Sequence, residues 1–357
     1  MIPAFTIVGG GSYQDYIVAS GTATIAGPDV APRLTAFPFS YDTGFGTEYT
    51  TPVGLQSSGT NGGKCAFGES SAVAGIAYGP SSGSTGTMNT WPFSGAGWGT
   101  KYSQPTTAPT MSSGAAYNHM VSPGLVGVGG GTSPYINVYA FSNTTGYGTR
   151  YSNPGTLPST VVQMISFRTQ ATTALAGCWQ TTSPYVRVWQ WASGFSTAYA
   201  APATLPTGTT NSIRFNSAGD TVLISMNASP YVAAYSWTSG SGWGTRYTPT
   251  TLPTGSATDA SWRPGDNAIA VSHSTTPFLS VYPWTGSFGS KYADPATTPG
   301  SAPGSTNWNY DGSVLLCQTG SSTLQAYKWA SGFSTKYTNA TASVPIGTYA
   351  TFNNQLI

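Results

Sequence analysis

Tyr235-Ser236-Trp237, the glycine turn Ser239-Gly240-Ser241-Gly242 and then Gly242-Trp243-Gly244-Thr245-Arg246-Tyr247 form the stretch whose reading decides the fold. The same grammar, an aromatic pair followed by Gly-aromatic-(Gly/Ser)-(Thr/Ser)-x-Tyr, recurs in Tyr139-Ala140-Phe141 with Gly146-Tyr147-Gly148-Thr149-Arg150-Tyr151. It recurs again in Trp189-Gln190-Trp191 with Gly194-Phe195-Ser196-Thr197-Ala198-Tyr199. Seven copies close on Tyr49, Tyr102, Tyr151, Tyr199, Tyr247, Tyr292 and Tyr337, spaced 45 to 53 residues apart. A period of that size means repeated supersecondary units, each unable to bury its apolar face alone.

Working outward from Tyr235, the unit from Asn211 to Gly255 alternates with period two in successive runs. Ser212-Ile213-Arg214-Phe215-Asn216 predicts a first strand, Thr221-Val222-Leu223-Ile224-Ser225-Met226 a second and Val232-Ala233-Ala234-Tyr235-Ser236-Trp237 a third. A short fourth strand, Gly244-Thr245-Arg246-Tyr247, leads into Thr251-Leu252-Pro253. Four antiparallel strands per unit is a propeller blade, so the chain reads as an all-β, seven-bladed β-propeller. Proline falls almost wholly in the turns, at Pro134, Pro184, Pro230 and Pro277 before third strands and Pro158, Pro206, Pro253 and Pro299 after fourth strands. There the missing amide donor does least harm to a ladder.

Closure follows from the ends. Ala350-Thr351-Phe352-Asn353-Asn354 is similar to the first strand at 212–216, and Tyr16-Ile17-Val18-Ala19-Ser20 to a second strand. The expectation is that pairing of the N- and C-terminal strands closes the ring. The chain then divides into an N-terminal docking arm, 1–12, and a single propeller domain, 13–357. The competing arrangement puts Phe5-Thr6-Ile7-Val8 in the inner slot of the first blade.

Composition narrows the function classes. With 12 basic and 10 acidic residues and a net charge of +2, the chain has no phosphate-neutralising stripe, so nucleic acid is not an expected partner. No stretch reaches a membrane-spanning length, and Met1-Ile2-Pro3-Ala4-Phe5-Thr6 lacks the basic and apolar parts of a secretory signal. Cys65, Cys178 and Cys317 form no CxxC pair and read as buried small apolar side chains.

The residues that carry chemistry are sparse. His119 and His273 lie in different repeats and read as hydrogen-bonded strand or turn residues; no metal or other cofactor is expected. Asp220, Asp266 and Asp311 recur in the turn between first and second strands, where turn geometry explains them. Lys101, Arg150, Arg246, Lys291 and Lys336 precede the closing tyrosine and read as long side chains lying over aromatics or capping carbonyls. Propeller connectivity gathers Tyr135, Tyr185, Tyr231 and Phe278, from the Ser/Thr-Pro-aromatic turns, on one rim beside the Leu-Pro loops. These four aromatics are the candidate binding residues, for sugar or protein contact, against the alternative that each packs on an adjoining proline. The irregular loops at 26–30 and 78–86, in blades one and two, are further candidates for specificity.

On these motifs the chain resembles the WD-repeat-like propellers, and more specifically the Ser/Thr/Gly-rich Ser-Pro-Tyr…Tyr-x-Trp…Gly-Phe-Gly-Thr-Lys-Tyr repeats of bacteriophage and virion-associated proteins. The usual Gly-His and Trp-Asp dipeptides are missing, so WD-repeat partner rules do not carry over. The resemblance implies a non-enzymatic structural or attachment component of a virion, a capsid decoration or tail part, made in the host cytoplasm. Its expected partners are other virion proteins and a host-surface glycan or receptor, with no membrane insertion. The alternatives are a glycan-cleaving propeller enzyme and a cellular lectin or scaffold.

Overall fold

The computed structural model describes residues 15–20, 34–54, 61–67, 73–79, 87–109, 116–122, 124–168, 173–179, 182–319, 323–340 and 349–352. Seven antiparallel sheets follow one another along the chain. Blade five has the strands Thr210–Phe215, Thr221–Met226, Val232–Thr238 and Gly242–Tyr247 from centre to edge. Blade one takes its inner strand from the other end of the chain: Tyr349–Phe352 pairs antiparallel with Asp15–Ser20, Phe352 standing opposite Ile17. The 1–12 arm and Phe5 to Val8 lie outside the described residues, as do the loops at 26–30 and 80–86.

The repeated signature is the lock between blades. In blade five, Trp243 meets Tyr235 and Trp237 edge to face at 5.3 and 5.4 Å, and Tyr199 from blade four meets Trp237 at 4.8 Å. Such T-shaped contacts add to the area that the rings bury. The closing tyrosine thus belongs to the interface with the following blade. Tyr337 does the same from blade seven to blade one, packing on Phe39 at 5.1 Å and donating its hydroxyl to Tyr41 O at 2.6 Å. The ring is sealed by the contact that builds it.

Sequence also explains why the outer strands differ in length. The fourth strands of blades three and five run over Gly146–Arg150 and Gly242–Tyr247, but those of blades one and two cover only Gly44–Phe45 and Gly97–Trp98. Blade six has three strands and, in the fourth position, the single bridge Trp284 to Phe288. In those three blades the third strand carries Pro38, Pro92 or Pro283. Trp284 N–H donates inward to Asn267 O, so by alternation position 283 faces the outer edge, where Gly289 N–H reaches Pro283 O. The donor that proline lacks is one the fourth strand would have used.

Cys65, Cys178 and Cys317 are buried and form no disulfide with one another, and burial pushes the Cys317 thiol up to about 12. Among the described residues, no helix is long and apolar enough to cross a membrane.

Candidate functional site

The inner strands Thr210–Phe215, Ala257–Trp262, Pro303–Trp308 and Tyr349–Phe352, from blades five, six, seven and one, line the centre in one register. Phe215, Trp262, Trp308 and Phe352 face Val222, Ile269, Leu315 and Ile17 across their sheets. Counting back from those rings, the third position is Ser212, Asp259, Ser305 and Tyr349, and the first is Arg214, Ser261, Asn307 and Thr351. The third-position oxygen stitches each blade to the next. Ser212 Oγ accepts from Ala260 N–H at 3.1 Å, Asp259 Oδ2 from Thr306 N–H at 3.1 Å and Ser305 Oγ from Ala350 N–H at 2.9 Å.

Asp259 therefore puts a carboxylate where the flanking blades place a serine. A buried anion needs a counter-charge, and Arg214 supplies it. Its Nη1 donates to Asp259 Oδ1 at 2.7 Å and to Ala260 O, and its Nη2 donates to Asp259 Oδ2 at 3.1 Å and to the Tyr349 hydroxyl at 2.9 Å. Asp259 has no solvent exposure; the Arg214 side chain keeps 8%. Blades five and one are three steps apart on a seven-membered ring, so the Arg214 to Tyr349 contact crosses the central channel.

Electrostatics fix the charge states of Arg214 and Tyr349. Burial works against the Arg214 charge, but Asp259 and the Tyr349 oxygen outweigh it, so its pKa is raised. Burial raises the Tyr349 pKa, against the opposing pull of Arg214. The result is a permanent cation beside a neutral phenol. On the register face shared with Arg214, Ser261 Oγ and Asn307 Oδ1 are buried with no protein hydrogen-bond partner. A fixed cation, a phenol and unpartnered hydroxyl and amide oxygens suit a polar, oxygen-rich ligand with a carbonyl or an anionic group.

None of these residues stood among the sequence candidates. Arg214 and Asp259 are isolated charges inside strands, 45 residues apart, and Tyr349 lies 135 residues from Arg214. The available signal was a carboxylate in Ala257-Thr258-Asp259-Ala260 at the register that holds serine in the neighbouring repeats. The acids that were noted do serve the turns. Asp311 Oδ1 accepts from Ser313 N–H at 2.8 Å, and Asp266 clasps blade five through Ser217 N–H, Ser217 Oγ and Ala218 N–H.

Tyr135, Tyr185, Tyr231 and Phe278 each occupy the turn between the second and third strands of their own blade, blades three to six. Each follows a cis Ser/Thr-Pro bond and takes a left-handed backbone, at φ of 65, 64, 67 and 68°. Each N–H closes a tight turn, as from Tyr231 to Ala228 O at 2.8 Å. The rings are half-buried, and Tyr135 and Tyr231 pack on the clusters between their own blade and the next. The turn is clasped by the Leu-Pro loop: Thr207 Oγ1 donates to Ser229 O at 2.7 Å and Thr254 Oγ1 to Thr276 O at 2.9 Å.

His273 has no solvent exposure, with Nε2 at 3.1 Å from Ser280 Oγ and Nδ1 at 3.4 Å from Thr254 Oγ1. Burial lowers its pKa to about 4. His119 lies on the inner strand Ala116–Ser122 of blade three. Among the described residues, no three His, Cys, Asp or Glu side chains gather as a metal site would require.

No protein-family model matches the chain, and no curated protein matches it by sequence. Solved structures do. A Bacteroides fragilis protein provisionally named a 6-phosphogluconolactonase is 12% identical, with a TM-score of 0.69 over 95% of this chain and 98% of its own. The periplasmic gluconolactonase of Pseudomonas aeruginosa is 11% identical, with a TM-score of 0.69 over 95% and 99%. The Cps50 (Swd1) β-propeller domain of Myceliophteria thermophila is 11% identical, with a TM-score of 0.55 over 77% and 85%. These likenesses establish the propeller fold. They also correct the expectation of a non-enzymatic virion component: full-length matches carry the names of lactone-acting enzymes, and none of those reported carries a virion name.

Proposed function

We propose that the chain is a hydrolytic propeller that opens a sugar lactone, with the reacting carbonyl held at Arg214 and Tyr349. The observation that carries this reading is the Arg214, Asp259 and Tyr349 cluster crossing the channel. A glycosidase would set two carboxyl groups about 5 to 9.5 Å apart across the scissile bond. Asp259 instead faces a guanidinium. That arrangement serves a carbonyl, where charge collects on one oxygen.

Hydrolysis adds the oxygen of water to the lactone carbonyl carbon and moves an electron pair onto the carbonyl oxygen. The Tyr349 O–H is the donor to this oxyanion, and the Arg214 guanidinium, whose Nη hydrogens go to Asp259, Ala260 O and Tyr349, orients that hydroxyl and supplies positive charge beside it before the reaction. Collapse of the intermediate breaks the bond to the ring oxygen, which leaves as an alcohol carrying a proton. The carboxylic acid product ionises and releases one proton. Ser261 Oγ and Asn307 Oδ1 supply hydrogen-bonding capacity for sugar hydroxyls. The lactone names of similar propellers support the substrate class.

Proton release in a pH-stat tests the reading, with glucono-δ-lactone and its 6-phosphate as substrates. Acid should form faster than in the spontaneous reaction, and Arg214→Gln should lower kcat/KM by about 100-fold, the loss typical of one oxyanion donor, here the Tyr349 hydroxyl that Arg214 orients. Release at the spontaneous rate with both lactones would overturn it.

A further inference from the structure

A second site emerges from comparing the cations that precede the closing tyrosines. Four of them are answered from within the protein. Lys101 Nζ donates to Gly54 O at 3.0 Å, Arg150 Nη2 to Asn153 Oδ1 at 2.8 Å and Lys336 Nζ to Asn339 Oδ1 at 2.7 Å, while Lys291 pairs with Asp294. In the last three the acceptor sits three residues after the cation, at Asn153, Asp294 and Asn339. In blade five that position is Pro249, which carries no acceptor on its side chain.

Arg246 is left with both Nε and Nη2 buried and without a hydrogen-bond partner, where Arg150 leaves only Nε. Buried donors of a charged group that go unmet are costly and call for a partner. The residue also lines an open groove of about 530 Å³, with Thr204, Thr207, Pro230, Thr245 and Thr248. Thr204, Thr245 and Thr248 are exposed and bring hydroxyl groups to the same walls. The groove lies between the last strand of blade five and the Leu-Pro loop leading into it, well apart from the channel cluster in the register of the sheet.

We propose that this groove binds a small oxyanion, a carboxylate or a phosphate, on the Arg246 guanidinium, with the threonine hydroxyls as secondary donors. The planar guanidinium of arginine matches the two oxygens of either group, and the missing side-chain acceptor at position 249 leaves its unmet donors to be answered from the groove that the residue lines. This site stands independently of the lactone reading. An internal partner has been withdrawn at one blade only among those described with a cation at this position, and that same blade has the groove.

Calorimetric titration of the full chain with inorganic phosphate and with acetate, at constant ionic strength set by chloride, tests it. One or both anions should bind saturably with millimolar affinity, and the stronger of the two identifies the ligand group. Arg246→Gln should weaken binding by about tenfold, the loss expected for one charge-assisted hydrogen bond. Arg150→Gln, whose guanidinium already has Asn153, should leave it unchanged. Pro249→Asn should also weaken binding, by restoring the acceptor that other blades carry, and offers a second variant if the first fails to fold. Saturable binding that survives Arg246→Gln, or no saturable binding of either anion, would overturn the proposal.

Discussion

At the residue scale, Asp259 and Arg214 hold the largest stake. Asp259→Asn leaves the Arg214 charge buried without its counter-ion and is expected to cost about 3–5 kcal/mol, read from urea unfolding. Replacing both, as in Arg214→Met with Asp259→Leu, should recover most of that loss, since a buried pair and an apolar pair are often nearly equal. A single mutant as stable as wild type would show that the pair is not buried as described. His273 gives the pH counterpart. Its pKa falls from 6.5 to about 4 on folding, so the unfolded chain takes up this proton at higher pH than the folded one. Its contribution to stability is complete above about pH 6.5 and is lost as pH falls towards 4. His273→Gln should flatten the decline of thermal midpoint over that window; an unchanged slope would remove His273 as its source. His273 was legible as a hydrogen-bonded strand residue, but the pairing of Asp259 with Arg214 was not, because one aspartate among strand residues looks the same whether it faces solvent or a channel.

Elements were more legible, because the glycine turn and the closing tyrosine repeat. Gly242, at φ of 87°, sits so that a Cβ would lie 3.0 Å from Tyr199 Cδ1, while Gly240, at φ of 93°, has nothing within 4 Å. Alanine at either position pays the left-handed backbone penalty, but only at 242 does it press on the ring that locks blade four to blade five. Gly242→Ala should therefore be less stable than Gly240→Ala by about 1–3 kcal/mol in thermal or urea melts. Equal losses would mean that the tyrosine contact contributes little. The outer-strand lengths were the part of the element pattern that went unread. Pro38, Pro92 and Pro283 stand on third strands, outside the turns that hold most of the prolines, and their consequence shows only once the edge they face is known.

For the whole molecule, the period of the repeat carried the fold, since a chain of stacked units with matching ends has few ways to bury its rings. The channel was illegible for the same reason. Its contacts join residues as far apart as Arg214 and Tyr349, and repeat grammar describes only what the blades share. Both proposals rest on places where one blade departs from the others: a carboxylate at a serine position in blade six, and an arginine without its acceptor in blade five. Tyr349→Phe is the sharpest probe of the channel claim, because it removes a single hydroxyl and leaves the Arg214 and Asp259 pair in place. The deciding measurement is kcat/KM for glucono-δ-lactone in wild type and Tyr349→Phe, taken with their melting temperatures. The account predicts catalysed hydrolysis that drops by about 100-fold in the variant while the melting temperature shifts by only a few degrees. Equal kcat/KM in the two proteins, or hydrolysis no faster than in buffer, would contradict it.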